Sequence, residues 1–275
     1  MFLVAFNKKW VKIKIMNDKQ WDIFCAFKKD FKNKIDEWVK EAPELKELQK
    51  EAVIKAKAPL YPFETTVVYN KALDEVKKED TIKLIVIGDN PGKDEQLIKN
   101  NKYLVGQAGK IAEGYFRRNE ELGIDFRKNV IILNKTPIHS GKTNQLKTIS
   151  KNGGEKISNL IKISQLWMAE RTAKLHCDLV EARDEDGQVC ELWLVGYGEL
   201  KNKGIFTEYR DKLLETYKRT SSNVWDNVYV FQHFSMNRFT IDLADYISEN
   251  NKQAESLINN IHTLGKMHKQ EIFIC

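Results

Sequence analysis

A chain of 275 residues is long enough to bury a core as one large domain or two small ones, without disulfide or metal staples. With 42% apolar and 31% charged residues it reads as a soluble globular protein, and its net charge of +6 permits a polyanion partner without requiring one. Its four cysteines, Cys25, Cys177, Cys190 and Cys275, form no C-x-x-C pair, which argues against a zinc or iron–sulfur site and fits the reduced thiols of a cytoplasmic protein. No metal and no cofactor are expected.

The apolar start, 1–6, has its lysines after it, the wrong order for a signal peptide, and is too short to span a membrane, so no membrane partner is expected. Residues 1–80 read as a helical N-terminal extension packed on the core. Its first stretch, with Trp10, Ile13 and Ile15 between lysines, fits an edge strand or extended arm. Trp21, Phe24, Phe27, Phe31, Ile35 and Trp38 then recur at helical spacing, as a core-facing helix does. Ala42-Pro43 breaks that helix. A second helix runs to about residue 56, and Pro59 and Pro62 mark a linker.

From residue 80 strands and helices alternate. Strands are expected over 82–87, 130–133, 192–196 and 228–231, and helices over 107–121, 154–175, 206–218 and 240–261. The acidic segment 178–188, ending in Asp186-Gly187, reads as an exposed insertion. Four apolar strands separated by helices predict a three-layer α/β/α sandwich with a four-stranded parallel sheet over residues 81–275.

The polar residues at the ends of these strands carry the chemistry. The first strand ends in Gly88-Asp89-Asn90-Pro91-Gly92, the second in Asn134-Lys135, and the fourth in Gln232-His233-Phe234-Ser235-Met236-Asn237-Arg238. Each has a plain structural reading: Asp and Asn stabilise turns, Gly supplies positive φ, and a histidine after a strand is often a structural hydrogen-bonder. Together they place a carboxylate, two amides and an imidazole at one carboxyl edge, where open α/β sheets bind their ligands. Gly141-Lys142-Thr143 resembles the tail of a phosphate-binding Walker loop, but the upstream glycine would fall at Thr136 and no helix is expected directly after it. His176, His262 and His268 are expected to be structural or surface residues.

The order Gly88-x-x-Pro91-Gly92, Val105-Gly106-Gln107-Ala108-Gly109, a strand ending in Asn134, then His233-x-Ser235 with Arg238 resembles the uracil-DNA glycosylase superfamily over about residues 80–245. The layout is similar to the branch that carries an iron–sulfur cluster, here without the cluster cysteines. Gly88-x-Asn90-Pro91-Gly92 also resembles the mismatch-directed branch. The resemblance implies a DNA glycosylase that flips uracil or a related deaminated base out of DNA and hydrolyses its N-glycosidic bond. His233 would donate to the base O2 and stabilise the departing anion, Asn134 would read the uracil edge, and Asp89 or Asn90 would position the water. Gly88, Pro91 and Leu104 would complete the base pocket. Leu104 stands where the cluster branch has a base-stacking phenylalanine, with Tyr103 adjacent as an alternative ring. Ser140, Lys142, Ser235 and Arg238 would meet the DNA backbone, with His139 on the same side, and Met236 or Phe239 would wedge into the duplex. Phe234 replaces the proline of the family's H-P-S. The alternative is a catalytically inactive nucleic-acid- or nucleotide-binding protein on the same scaffold. DNA is the expected partner, and the oligomeric state is left open.

Overall fold

The structure is a computed structural model that describes residues 3–6, 9–12, 15–185 and 187–273. The extended start is a small hairpin in which Leu3–Phe6 (β1) pairs antiparallel with Lys9–Lys12 (β2). Ile13, Asp186 and Cys275 lie outside the described residues.

Helix α1 (Asp18–Glu41) opens on a capping box: the Asn17 side chain accepts from Gln20 N, and the Gln20 side chain accepts from Asn17 N. It buries Phe24, Phe27, Phe31, Ile35 and Trp38, five of the six residues of the stripe read from the sequence, while Trp21 is partly buried. Each such residue contributes roughly 1.5–3 kcal/mol relative to exposure, which fastens the extension to the rest of the chain. Phe31 and Trp38 close on Trp167 of α5 (Gly154–Glu181), with ring centroids at 5.8 and 5.6 Å. Helix α2 (Leu45–Lys55) sends Gln49 to the Thr66 and His139 carbonyls, both at 3.0 Å.

The main sheet holds β3 (Leu84–Gly88), β4 (Val130–Asn134), β5 (Glu191–Val195) and β6 (Val228–Phe231), all parallel, in the order β4-β3-β5-β6. Every residue of these strands is buried except the partly exposed Glu191. That is why they read as continuous apolar runs, the signature of a sheet covered on both faces. The covering helices are α3 (Gln107–Arg118), α4 (Gln145–Asn152), α5, α6 (Thr207–Thr220), α7 (Arg238–Glu249) and α8 (Leu257–Ile272), which makes eight α-helices among the described residues and is compatible with a three-layer sandwich. None of them is long and apolar enough to cross a membrane.

Both edges of the sheet are closed. The segment after α2 covers β4: Asn70 Nδ2 donates to Ile132 O at 2.8 Å, Val67 bridges Ile138, and Val68 N donates to Pro137 O. The extension therefore satisfies backbone groups that an exposed edge would leave open. On the other side α8 lies against β6. A Cβ on Gly265 would stand 2.6 Å from the Phe231 ring, so glycine permits that approach.

Four expectations need correction. A short helix, α4, does follow Gly141-Lys142-Thr143, buried through Leu146 and Ile149; its eight residues are too few to show a period. Helix α5 runs on to Glu181 and buries Leu179 and Val180, so the insertion shrinks to 182–188. Helix α3 stops at Arg118, where Asn119 leaves helical geometry. The expected helix over 240–261 is two helices: Asn251 turns the chain at φ +53°, and Ser256 caps α8 by accepting from Asn259 N.

Candidate functional site

Because β3 neighbours both β4 and β5, the chain leaves it in opposite directions, and a crevice opens at the carboxyl ends. There lies a cavity of about 480 Å³, walled by Asp89, Asn90, Leu104, Asn134, Ser140, Lys142, Thr143, His233 and Ser235 among others. A larger depression near Lys201 and Arg210 has its charges paired, with Glu271 and Asp211 respectively, and offers no comparable chemistry.

Beneath the cavity sits a buried ion pair. Lys135 Nζ, wholly buried, lies 2.5 Å from Asp89 Oδ1, 2.5 Å from the Val195 carbonyl and 3.4 Å from the Gly88 carbonyl. The Phe206 ring is 5.0 Å away on another side. Burial pushes the ammonium below the usual lysine value, and Asp89 opposes that. Thr143 Oγ1 donates to the other Asp89 oxygen at 3.3 Å. Gly196, at φ +92°, makes room: a Cβ there would fall 2.3 Å from Asp89 Oδ1.

Asn90 is held by its donor. Nδ2 contacts Ser140 Oγ at 2.9 Å and the Ser140 and Pro91 carbonyls at 3.2 Å, while Oδ1 has no protein partner among the described residues. Ser140 is buried and passes its own proton to the Lys142 carbonyl. It therefore orients Asn90 instead of meeting a phosphate. The Pro91 carbonyl accepts from His139 Nδ1 at 2.8 Å, so Nε2 of the neutral ring accepts from Tyr61 OH at 3.0 Å. Burial pushes His139 down to about 4. This histidine is enclosed by Tyr61 and Phe63 and braces the turn from behind; it does not line a DNA face.

Asn134 is buried on the cavity wall, and its side chain makes no hydrogen bond among the described residues; its Nδ2 is fully enclosed. Gly88 stands behind it, since a Cβ there would meet Asn134 Oδ1 at 2.5 Å. Gly88 and Pro91 thus shape the site from below without lining it.

His233 has a defined tautomer. The Ser235 backbone N–H donates to Nδ1 at 3.0 Å, with Ser235 Oγ 2.8 Å from the same atom, so the neutral ring carries its proton on Nε2. Nε2–H has no protein partner among the described residues. Burial holds His233 below the ordinary imidazole value, with Asp89 opposing and Lys135 adding to the effect. At neutral pH the ring is an uncharged donor. Ser235 spends its hydroxyl on this orientation.

The opposite wall hangs on Glu95, which sequence reasoning missed. Its buried carboxylate accepts from Gly92 N at 3.1 Å and Leu104 N at 3.0 Å, tying the Pro91-Gly92 turn to the Leu104 loop. Burial pushes it up to about 7. Leu104 takes φ +50°, and its carbonyl lies where a Cβ on Gly109 would be, so that glycine is obligatory. Tyr103 does not supply a ring to the cavity: it is fully buried, with its hydroxyl on the Val68 carbonyl at 2.6 Å. Among the described residues no Phe, Tyr or Trp side chain lines the cavity, and Leu104 is its largest apolar group.

At the rim, Met236 and Asn237 take consecutive left-handed conformations, φ +53° and +57°, and Met236 is 76% exposed. Arg238, next in the chain, and Lys142, on the cavity wall, are exposed. Phe239 is excluded as a wedge, because it is buried against Tyr115, Trp193, Phe231 and Phe234. Phe234 anchors the loop in that cluster. Compared with known proteins, the chain matches no family model, no curated protein and no solved structure.

Of the residues expected at the site, the fold brings Asp89, Asn90, Leu104, Asn134, Ser140, Lys142, His233 and Ser235 around one cavity. Lys135, Thr143, Glu95 and Gly196 were missed. Lys135 was legible in part, as a charge directly after an apolar strand. His176 is structural: its Nε2–H donates to Cys190 O, its Nδ1 accepts from Tyr217 OH, and burial pushes it down to about 4.

Proposed function

We propose that the protein is a DNA glycosylase on a uracil-DNA glycosylase-like scaffold, hydrolysing the N-glycosidic bond of uracil or a related deaminated base. The observation that carries this reading is Asn134. A buried amide without a partner costs about 1–3 kcal/mol, and such groups persist where a ligand completes them. Asn134 Nδ2, enclosed as it stands, meets O4 once the amide turns towards the cavity, which sets one donor and one acceptor side by side against the O4 and N3–H edge of uracil. The same cavity holds an uncharged N–H on His233 and a free amide oxygen on Asn90.

In this reading the bond between C1′ and the base nitrogen breaks, and its electron pair leaves with the base. His233 Nε2–H stabilises the charge developing on O2, which is electrostatic catalysis by a preorganised donor. Water held on Asn90 Oδ1 adds to C1′ of the oxocarbenium-like sugar, above the negative charge of Asp89, and the proton it releases goes to the departing base anion. Lys142 and Arg238 supply phosphate contacts, and Met236 fills the gap left by the flipped base. The base rests on Leu104 without an aromatic stack, which forgoes about 1–3 kcal/mol of binding. That missing ring is what favours the second reading, an inactive nucleotide- or nucleic-acid-binding protein on the same scaffold.

The test is alkali-dependent strand cleavage of labelled oligonucleotides with uracil in single strands, opposite A and opposite G, beside hypoxanthine and T:G substrates. Wild type is expected to form abasic sites. His233→Ala and Asn90→Ala are each expected to lose on the order of 100-fold or more in rate, the loss typical of one transition-state contact. Folded wild type that leaves all substrates intact, yet binds DNA or a base, establishes the second reading instead.

A further inference from the structure

Lys135 is a buried lysine at the sheet's carboxyl edge, and no step of base excision as proposed uses it. It projects from the end of β4, under a cavity whose floor is Asp89 from β3. Its Nζ meets Asp89 Oδ1, the Val195 carbonyl and the Gly88 carbonyl. An ammonium has three N–H donors and a neutral amine two, so three acceptors and an aromatic face describe a site built for the charged form. The titratable groups facing it are Asp89, Glu199 in the turn after β5, and the neutral His233 beyond β6. Asp89 is consumed from both sides, by Lys135 on Oδ1 and by Thr143 on Oδ2. Asn90 has the opposite arrangement, its donor tied down and its acceptor free.

We propose that Lys135 is a positioning residue: it locks the Asp89 carboxylate into a closed ion pair beneath the cavity, so that Asp89 acts as fixed negative charge and takes no proton. Water then falls to Asn90 Oδ1. Because the pair is neutral as a whole, it leaves His233 as an uncharged donor, whereas a lone carboxylate at that place favours the imidazolium. The catalytic part of this inference rests on the glycosylase reading; the electrostatic part does not.

Two measurements test it on the full-length protein. The first is the NMR titration of the His233 imidazole in wild type, Lys135→Met, Asp89→Asn and the Lys135→Met/Asp89→Asn double variant. Removing the lysine alone is expected to move the His233 midpoint up, removing the aspartate alone to move it down, and removing both to bring it back towards wild type. The second is single-turnover base release by the same proteins. Lys135→Met is expected to slow by about tenfold to hundredfold, as misplacement of a reacting group does. Asp89→Asn in the Lys135→Met background is expected to recover part of that rate.

Where Lys135→Met alone does not fold, the double variant, which leaves neither charge unpaired, carries the test against Asp89→Asn, whose buried ammonium keeps the Val195 and Gly88 carbonyls. A His233 midpoint indifferent to Lys135, or a double variant slower than Lys135→Met, overturns the proposal. The titration needs no substrate. A wild type silent on every oligonucleotide therefore overturns the glycosylase reading, and the His233 shifts still decide Lys135.

Discussion

Replacing Gly196 by alanine perturbs the site without substituting any of its functional side chains. Gly196 follows β5 at φ +92°, where a non-glycine residue costs about 1–3 kcal/mol. The new Cβ falls 2.3 Å from Asp89 Oδ1 and 3.1 Å from Lys135 Nζ, far inside contact distance. The carboxylate has to leave the lysine. Lys135 is wholly buried and Asp89 is 13% exposed, so water does not replace what is lost. Breaking a buried pair of this kind costs about 3–5 kcal/mol. The combined loss, about 4–8 kcal/mol, is a large share of the roughly 5–15 kcal/mol that holds a domain together. Guanidinium unfolding followed by tryptophan fluorescence and circular dichroism measures it. Gly198→Ala, where a Cβ meets nothing within 4 Å, is the control and is expected within about 0.5 kcal/mol of wild type. A Gly196→Ala protein within about 1 kcal/mol of wild type refutes the account of Gly196 as the space that the ion pair occupies.

Three further outcomes rest on named contacts. His139 and His176 are held down to about 4 by burial, against an unfolded value near 6.5. As pH falls from 6.5 to 4 the unfolded chain therefore binds protons that the folded one refuses, and each histidine removes about 3 kcal/mol of stability. Glu95, pushed up to about 7, runs the other way, costing stability as pH rises from 4.5 to 7. The acid loss should accordingly be steepest in Glu95→Gln, and a flat stability curve between pH 6.5 and 4.5 in that variant is incompatible with neutral buried histidines. Asn17→Ala removes the α1 cap and the bond to the Ala182 carbonyl, and is expected to lose about 1–2 kcal/mol in a thermal melt. Met236→Ala should fold and melt as wild type does, because the side chain is exposed; on the proposed glycosylase reading it loses more of the wild-type rate on duplex than on single strands, where no gap needs filling. Equal losses on both substrates count against Met236 as a wedge.

The strands were legible because both faces of the sheet are covered: Leu84–Gly88 and Val130–Asn134 have no solvent side, and their composition says so. The aromatic stripe of α1 was legible for the same reason, one helix face meeting one core. Helix α4 and the split between α7 and α8 were not. Eight residues show no period, and the break at Asn250-Asn251 depends on an asparagine taking a conformation that the sequence permits but does not require. At the site, polar residues directly after apolar strands pointed to Asp89, Asn90, Asn134 and His233, since a parallel sheet delivers all its strand ends to one edge. The roles of Tyr103, Ser140 and Phe239 were not legible, because a residue's place next to a motif says nothing of which way its side chain turns.

The sequence by itself determined the alternation of strands and helices, the polar groups at the strand ends and the aromatic face that joins the extension to the core; each is a local pattern of burial that a single chain segment records. Tertiary structure alone decided that Lys135 reaches across to Asp89, that Gly196 leaves room for the pair, that Glu95 ties two loops, and that His233 and His139 carry their protons on opposite nitrogens. Those facts depend on the distance between segments far apart in the chain, and on which donor or acceptor the fold sets against each ring and carboxylate.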